Sequence, residues 1–269
     1  MGVINVTPDS FSDGGYFDTT EKAIEQARRL ILEGADILDI GGESTRPGSQ
    51  SVGVDEELSR VIPVIEFALS MDTPVSVDTS KPEVMRVAID AGVDLVNDIN
   101  ALQAPGALDV VADSTVMICL MHMQGKPETM QHNPQYSDVV AEVISFLEQR
   151  IAAAISAGIE REHIVIDPGF GFGKTFEHNL MLLRQLDRLA SMNLPVLAGL
   201  SRKSMLGTIT GNPVNDRVHA SVAAALLAVG QGARIVRVHD VKATRDAFSV
   251  FAAMNRIDPG FLIHPQSCQ

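Results

Sequence analysis

The residues with chemical reach in this chain fall at the ends of its short apolar runs. Val3-Ile4 leads into Asn5, Val75-Ser76-Val77 into Asp78, Leu95-Val96 into Asn97-Asp98, and Ile164-Val165-Ile166 into Asp167. Ile37-Leu38-Asp39-Ile40 leads into Gly41-Gly42-Glu43-Ser44-Thr45-Arg46, and the run 116–121 into His122. Val196-Leu197 leads into Gly199-Leu200-Ser201-Arg202-Lys203, and Ile235-Val236 into Arg237-Val238-His239. A buried strand gains nothing from a polar C-terminal end unless something binds there. Repeated along the whole chain, such endings suggest one pocket fed by eight strands. Asp78, Asn97 and Asp167 suit a ligand rich in N–H donors and bearing a carbonyl, such as an aminopyrimidinone ring. The plainer alternative makes Asp78-Thr79-Ser80 and Asn97-Asp98 caps or turns, a role that fits Asp98 best.

Charge sharpens the point. The formal net charge is −13, which disfavours nucleic acid or an anionic membrane as a partner. Against that background Arg46, Lys126, Lys174, Arg202, Lys203, Arg237 and His239 all follow apolar runs, as a site for an anionic small molecule requires. Arg237 and His239 are two apart and share one face of a strand end.

Other motifs carry less. The segment 167–175, Asp-Pro-Gly-Phe-Gly-Phe-Gly-Lys-Thr, resembles a phosphate loop but has Pro168 where the pattern needs a glycine N–H. Its glycines instead read as room for backbone to approach a flat ligand, with Asp167 facing the pocket. His122 reads as a structural histidine, and His132, His163, His178, His219 and His264 are scattered, so no zinc site is supported. Cys119 and Cys268 form no metal or disulfide framework; Cys119 reads as a small core residue.

The elements that must hold these residues alternate. Helical apolar spacing marks 20–32 (Ala23, Ile24, Ala27, Leu30, Ile31), 55–69, a helix opened by Lys81-Pro82-Glu83 with Ser80 as cap, 137–157 ending at Gly158, 179–189, 216–229 and 241–253, with a weak short helix within 102–113. Repeats of roughly 30 residues match βαβ units. Eight of them in 269 residues imply α/β architecture: a single (β/α)₈ TIM barrel over 1–269, with the active site at the C-terminal strand ends. An open doubly wound sheet competes, but its Gly-rich fingerprint is absent from the first loop. No run of about 18 apolar residues or leader pattern is seen, so a cytoplasmic protein is expected.

Taken in order, the opening 1–15, the stretches 41–48, 76–82, 97–99, 120–125 and 167–174, and Ser201-Arg202-Lys203-Ser204 and 237–241 resemble the signatures of the dihydropteroate synthase family. The resemblance implies condensation of a dihydropterin methyl diphosphate with 4-aminobenzoate, releasing pyrophosphate, with Mg²⁺, and with sulfonamides as competitors. It implies that Asp78, Asn97, Asp167 and Lys203 hold the pterin. It places Thr45, Arg237, His239 and Asn5 on the diphosphate, with Asn5 also a Mg²⁺ ligand, and Ser201, Arg46, Pro47, Phe11 and Phe172 on the aminobenzoate. The charge inventory agrees with a dissociative displacement, with loops 5–15 and 42–48 closing to exclude water. The resemblance further implies a homodimer through the last helices, and sulfonamide sensitivity is expected, since no insertion interrupts the loops near Phe172 and Ser201. Only four residues precede Asn5, fewer than in the family pattern, which leaves the lower end of the barrel less covered or puts the start upstream. A methyltetrahydrofolate-binding methyltransferase barrel would not need Arg237, His239 and Asn5, and a non-catalytic pterin binder would have lost one of the site residues.

Overall fold

The computed structural model describes residues 1–7, 16–44 and 51–255. Phe11, Thr45, Arg46 and Pro47 therefore lie outside the described residues, as do Cys268 and His264.

Eight parallel strands form: β1 (Gly2–Asn5), β2 (Leu38–Gly41), β3 (Val75–Asp78), β4 (Leu95–Asp98), β5 (Met117–Met121), β6 (Ile164–Asp167), β7 (Leu197–Ala198) and β8 (Ile235–Val236). β1 to β6 pair in sequence order and β7 pairs with β8. Parallel bridges Ile166↔Val196 and Gly2↔Val238 close the two seams. The result is the closed barrel expected from the repeat length, not an open sheet.

The helices are α1 (Tyr16–Leu32), α2 (Val54–Leu69), α3 (Pro82–Ala91), α4 (Ala107–Ala112), α5 (Val139–Ser156), α6 (Phe176–Arg184), α7 (Leu186–Ala190), α8 (Ser204–Thr210), α9 (Val218–Gly230) and α10 (Val241–Asn255). Ala23, Ala27 and Leu30 are fully buried on α1, as their spacing implies. Three details differ from the sequence reading. The cap of α3 is Lys81, not Ser80, because Pro82 takes the first helical position and holds the residue before it extended. The expected helix at 179–189 is two helices that meet at Gln185, and the first starts earlier, where Thr175 and His178 form a reciprocal capping box. α8 is too short for periodicity to reveal. None of the helices described is long and apolar enough to cross a membrane.

Strand side chains alternate between two compartments. One set, including Leu38, Ile40, Val77, Ile118 and Ile166, packs in the large core with helix residues such as Leu30, Ile65 and Leu147. The other set, Met1, Leu95, Cys119, Val165 and Leu197, forms a small separate cluster that plugs the barrel. Above this apolar plug the same inward positions turn polar.

Asp98 points the other way and is structural. Its two oxygens accept the backbone N–H groups of Asn100 and Leu102, both at 2.7 Å. They stabilise a turn in which Ala101 and Leu102 sit at φ 51° and 56°. Arg150 of α5 donates to the Ala101 and Leu102 carbonyls at 2.8 and 3.1 Å. Asp98→Ala leaves buried N–H groups unpaired and is expected to cost about 1–3 kcal/mol in urea unfolding, with ligand affinity retained by the folded fraction.

Candidate active site

One rung of the barrel aligns the key positions. Cα pairing runs Asn5↔Gly41↔Asp78↔Asn97 across four neighbouring strands. Gly41 supplies the room, since a Cβ there would lie 3.3 Å from that of Asp78. One residue pair lower, Asp39 lies opposite Ser76.

Asp39 organises the site. It is fully buried within an otherwise apolar strand, so its charge must be paired. Arg237 donates Nε to it at 2.5 Å and Nη2 to Asp78 at 2.7 Å. Ser76 Oγ donates to Asp39 at 2.5 Å, and Asn97 Nδ2 donates at 3.2 Å. Because a carboxylate only accepts, the Asn97 amide is oriented with its nitrogen on Asp39 and its oxygen turned away. The sequence reading gave Arg237 to an anion. The structure commits two of its donors to carboxylates and leaves Nη1 without a partner among the described residues. Burial alone would lower the Arg237 guanidinium, but Asp39 and then Asp78 reverse this and raise it.

The acceptors left over define what fits. Burial lifts the Asp78 carboxyl to about 7 against the pull of Arg237. Asp167 accepts Gly169 N–H at 2.7 Å through Oδ1 alone, and burial raises it to about 6 while that bond and Lys203 oppose the shift. Lys203 places Nζ 4.3 Å from the centre of the Phe172 ring; burial, then Arg237, lower its ammonium to about 8. The mouth thus offers oxygens of Asp78, Asp167 and Asn97 that lack a partner among the described residues, beside Lys203 and Arg237, a match for an N–H-rich heterocycle with a carbonyl.

His239 and Ser201 form the adjoining wall. The His239 N–H donates to Ser201 Oγ at 3.2 Å, and the hydroxyl meets His239 Nδ1 at 3.0 Å. Burial, then Arg237 and Arg202, lower the imidazole to about 4, so the ring is neutral near pH 7. With the hydroxyl donating to Nδ1, Nε2 carries the proton and has no partner among the described residues. Arg202 does not serve the pocket: Asp240 binds it bidentately at 3.0 and 2.6 Å.

Several contributors escaped the sequence reading. Asp39 and Ser76 were visible only as members of apolar runs, although a carboxylate inside such a run, two residues before a strand end, is the signal. His122 and Lys174 also acquire partners: Lys174 Nζ lies 2.9 Å from His122 Nδ1. The glycines of 169–173 serve packing as well. At Gly169 (φ +68°) a Cβ would sit 1.9 Å from the His122 carbonyl, and at Gly173 (φ +59°) 2.3 Å from that of Gln124. They admit neighbouring backbone, where a flat ligand had been expected.

Beside Asp78 a cavity of about 280 Å³ opens among Glu43, Ser80, Ile99, Met123 and Lys126. Its outer edge is the start of the 42–50 segment, held by Arg60 Nη1 on the Gly42 carbonyl at 2.7 Å and by Lys81 bridging Glu43 and Glu57. A cavity of equal volume lies at the opposite end near Asp36, Arg245 and Phe248, remote from the polar strand ends.

A family model described as pterin binding enzyme matches residues 1–239. The chain belongs to the pterin-binding enzyme family. Within this family it resembles dihydropteroate synthases throughout. The relative from Haemophilus influenzae is 51% identical over 254 residues, covering 94% of this chain and 92% of its own. Dihydropteroate synthase from Xanthomonas albilineans, solved with 4-aminobenzoic acid, superposes with a TM-score of 0.90 at 55% identity, covering 95% of this chain and 92% of the other. The same enzyme in complex with 7,8-dihydropteroate gives 0.87 at 52% identity, covering 95% and 93%.

Two outcomes test this arrangement of buried charges. Asp39→Ala removes one of the two carboxylates paired with Arg237 and is expected to destabilise the fold by about 3–5 kcal/mol in denaturant unfolding, far beyond the loss at an exposed carboxylate. Asp167 has a folded pKa above its unfolded value, so its protonated form favours the fold below about pH 4 and that contribution is lost as pH rises through about 6. Asp167→Asn should therefore flatten the fall of the urea midpoint with pH across this window; an unchanged slope contradicts the assignment.

Proposed function

We propose that this chain acts as a dihydropteroate synthase. It joins (7,8-dihydropterin-6-yl)methyl diphosphate to 4-aminobenzoate, forming 7,8-dihydropteroate and pyrophosphate. The observation that supports this reading is the set of three acceptor oxygens, on Asp78, Asn97 and Asp167, that have no partner among the described residues, beside donors of Lys203, Arg237 and His239. The acceptors hold the N–H edge of the pterin, and Lys203 meets its ring acceptors. Arg237 Nη1 and His239 Nε2–H donate to the diphosphate. As the C–O bond to the diphosphate breaks, charge gathers on the leaving group, and donors fixed in advance stabilise it. The arylamine nitrogen forms the new C–N bond at the methylene carbon and loses its proton. No protein nucleophile takes part.

Asn5 ends β1 on the same rung as Asp78, and its side chain has no hydrogen-bond partner among the described residues. No group of three His, Cys, Asp or Glu residues among those described could hold a metal. A single neutral amide suits Mg²⁺, which keeps its waters and takes oxygens from substrate phosphates. Bound there, Mg²⁺ would neutralise diphosphate charge. Ser201 and Phe172 are assigned to 4-aminobenzoate and to competing sulfonamides, together with Phe11, Arg46 and Pro47, and Thr45 to the diphosphate; these last four lie outside the described residues. A homodimer through α9 and α10 belongs to the same reading, supported by the exposed Leu227, Val250 and Met254.

The deciding assay is release of pyrophosphate from the dihydropterin methyl diphosphate. Release is expected to depend strictly on 4-aminobenzoate and on Mg²⁺, to be inhibited competitively by sulfamethoxazole, and to fall about 10²–10³-fold in kcat/KM in His239→Ala, which loses one charge-stabilising donor. Release without the arylamine overturns the reading.

A further inference from the structure

Lys174 is the one cation in the 167–175 segment, and it is buried, with 3% of its surface exposed. None of the carboxylates among the described residues forms an ion pair with it. Instead its ammonium meets three acceptors: His122 Nδ1 at 2.9 Å, the Phe172 carbonyl at 3.0 Å and the His122 carbonyl at 3.3 Å. Its N–H groups face these three acceptors, two on His122 just after β5 and one in the loop after β6, and burial lowers the Lys174 amine to about 7. Burying a cation without an ion pair costs stability, so a residue present only to fill this space would be apolar. The His122 ring is itself fixed, edge-on to Phe146 with centroids 4.9 Å apart. Burial lowers the His122 imidazole to about 3, with Lys174 adding to the shift, so the ring stays an acceptor. The held carbonyl belongs to Phe172, and it is the Phe172 ring that lies against the Lys203 ammonium. Close packing at Gly169 and Gly173 makes the two loops one body at this point.

We propose that Lys174 is a positioning residue: by gripping His122 and the Phe172 carbonyl it sets the Phe172 ring, and through it Lys203, where the arylamine is received. This rests on the function proposed above. Lys174 touches neither substrate. It acts on the affinity for 4-aminobenzoate through the loop it fixes.

The test uses the full-length enzyme with wild type as control. Lys174→Met is expected to raise KM for 4-aminobenzoate about tenfold, roughly 1.4 kcal/mol, with kcat per folded molecule changed little. In Lys174→Ala, propylammonium, which restores the missing atoms, should recover the KM, and 1-propanol should not. His122→Asn keeps an acceptor where Nδ1 lies and should behave as wild type; His122→Leu should reproduce Lys174→Met. A fall in folded fraction with unchanged KM would mark Lys174 as merely structural and overturn the proposal, as would equal KM values for the two His122 variants, which decide the matter if Lys174 variants fail to fold. A readout independent of activity is available because the chain has no tryptophan. In a Phe172→Trp background, Lys174→Met should red-shift the emission and increase acrylamide quenching; an unmoved spectrum overturns the proposal. Wild type that releases no pyrophosphate with 4-aminobenzoate refutes the function, while the Phe172→Trp spectra still decide whether Lys174 sets this loop.

Discussion

A guanidinium held between two buried carboxylates is the interaction on which the site depends. Arg237 enters from β8, Asp39 from β2 and Asp78 from β3, so one side chain ties the last strand to the second and third. Each partner is untenable alone: an unpaired Asp39 inside the barrel would cost several kcal/mol, and an unpaired Arg237 as much. The pairing also determines what remains for a ligand. It consumes two donors of Arg237 and one oxygen of Asp78, and it turns the Asn97 amide so that its oxygen is the free atom. Ligand complementarity is thus a remainder, defined by the groups that structural pairing leaves unsatisfied.

The barrel makes this possible by separating two tasks along each strand. Inward positions low in the barrel are apolar and plug it, as Leu95, Cys119, Val165 and Leu197 do. Inward positions one step higher are Asn97 and Asp167. A shift of two residues along a strand converts packing into recognition, and the backbone ladder carries both without adjustment. The loops add what strands cannot: Lys203 at the cap of α8, Phe172 after β6, and His239 and Ser201 across the seam.

Much of this was legible from residue types. The eight strand ends, the buried stripe of α1 and the structural character of Asp98 all follow from period and burial arguments, because each is local. What escaped depends on contacts between distant segments. Asp39 looks like a flaw in an apolar run until Arg237, 198 positions away, is placed beside it. Arg202 and Lys174 resemble free cations in sequence, yet Asp240 and the carbonyls of His122 and Phe172 occupy them. Sequence shows that a charge follows a strand; it does not show which charges neutralise each other. The cap of α3 and the split at Gln185 were missed for a smaller reason, since one-residue shifts and five-residue helices fall below the resolution of a 3.6-residue period.

The seam between β8 and β1 has a consequence for how the protein comes into being. Gly2 bridges Val238, and the Val3 N–H donates to the Val238 carbonyl, so the first strand waits for almost the entire chain before its outer edge is covered. Contacts of such separation form late and slowly. During synthesis on the ribosome, β1 to β6 can assemble as an open sheet while Asp39 still lacks its guanidinium. Recognition and closure then arrive together, when the segment carrying Arg237 leaves the exit tunnel. Until then both the β1 edge and the pocket stay open.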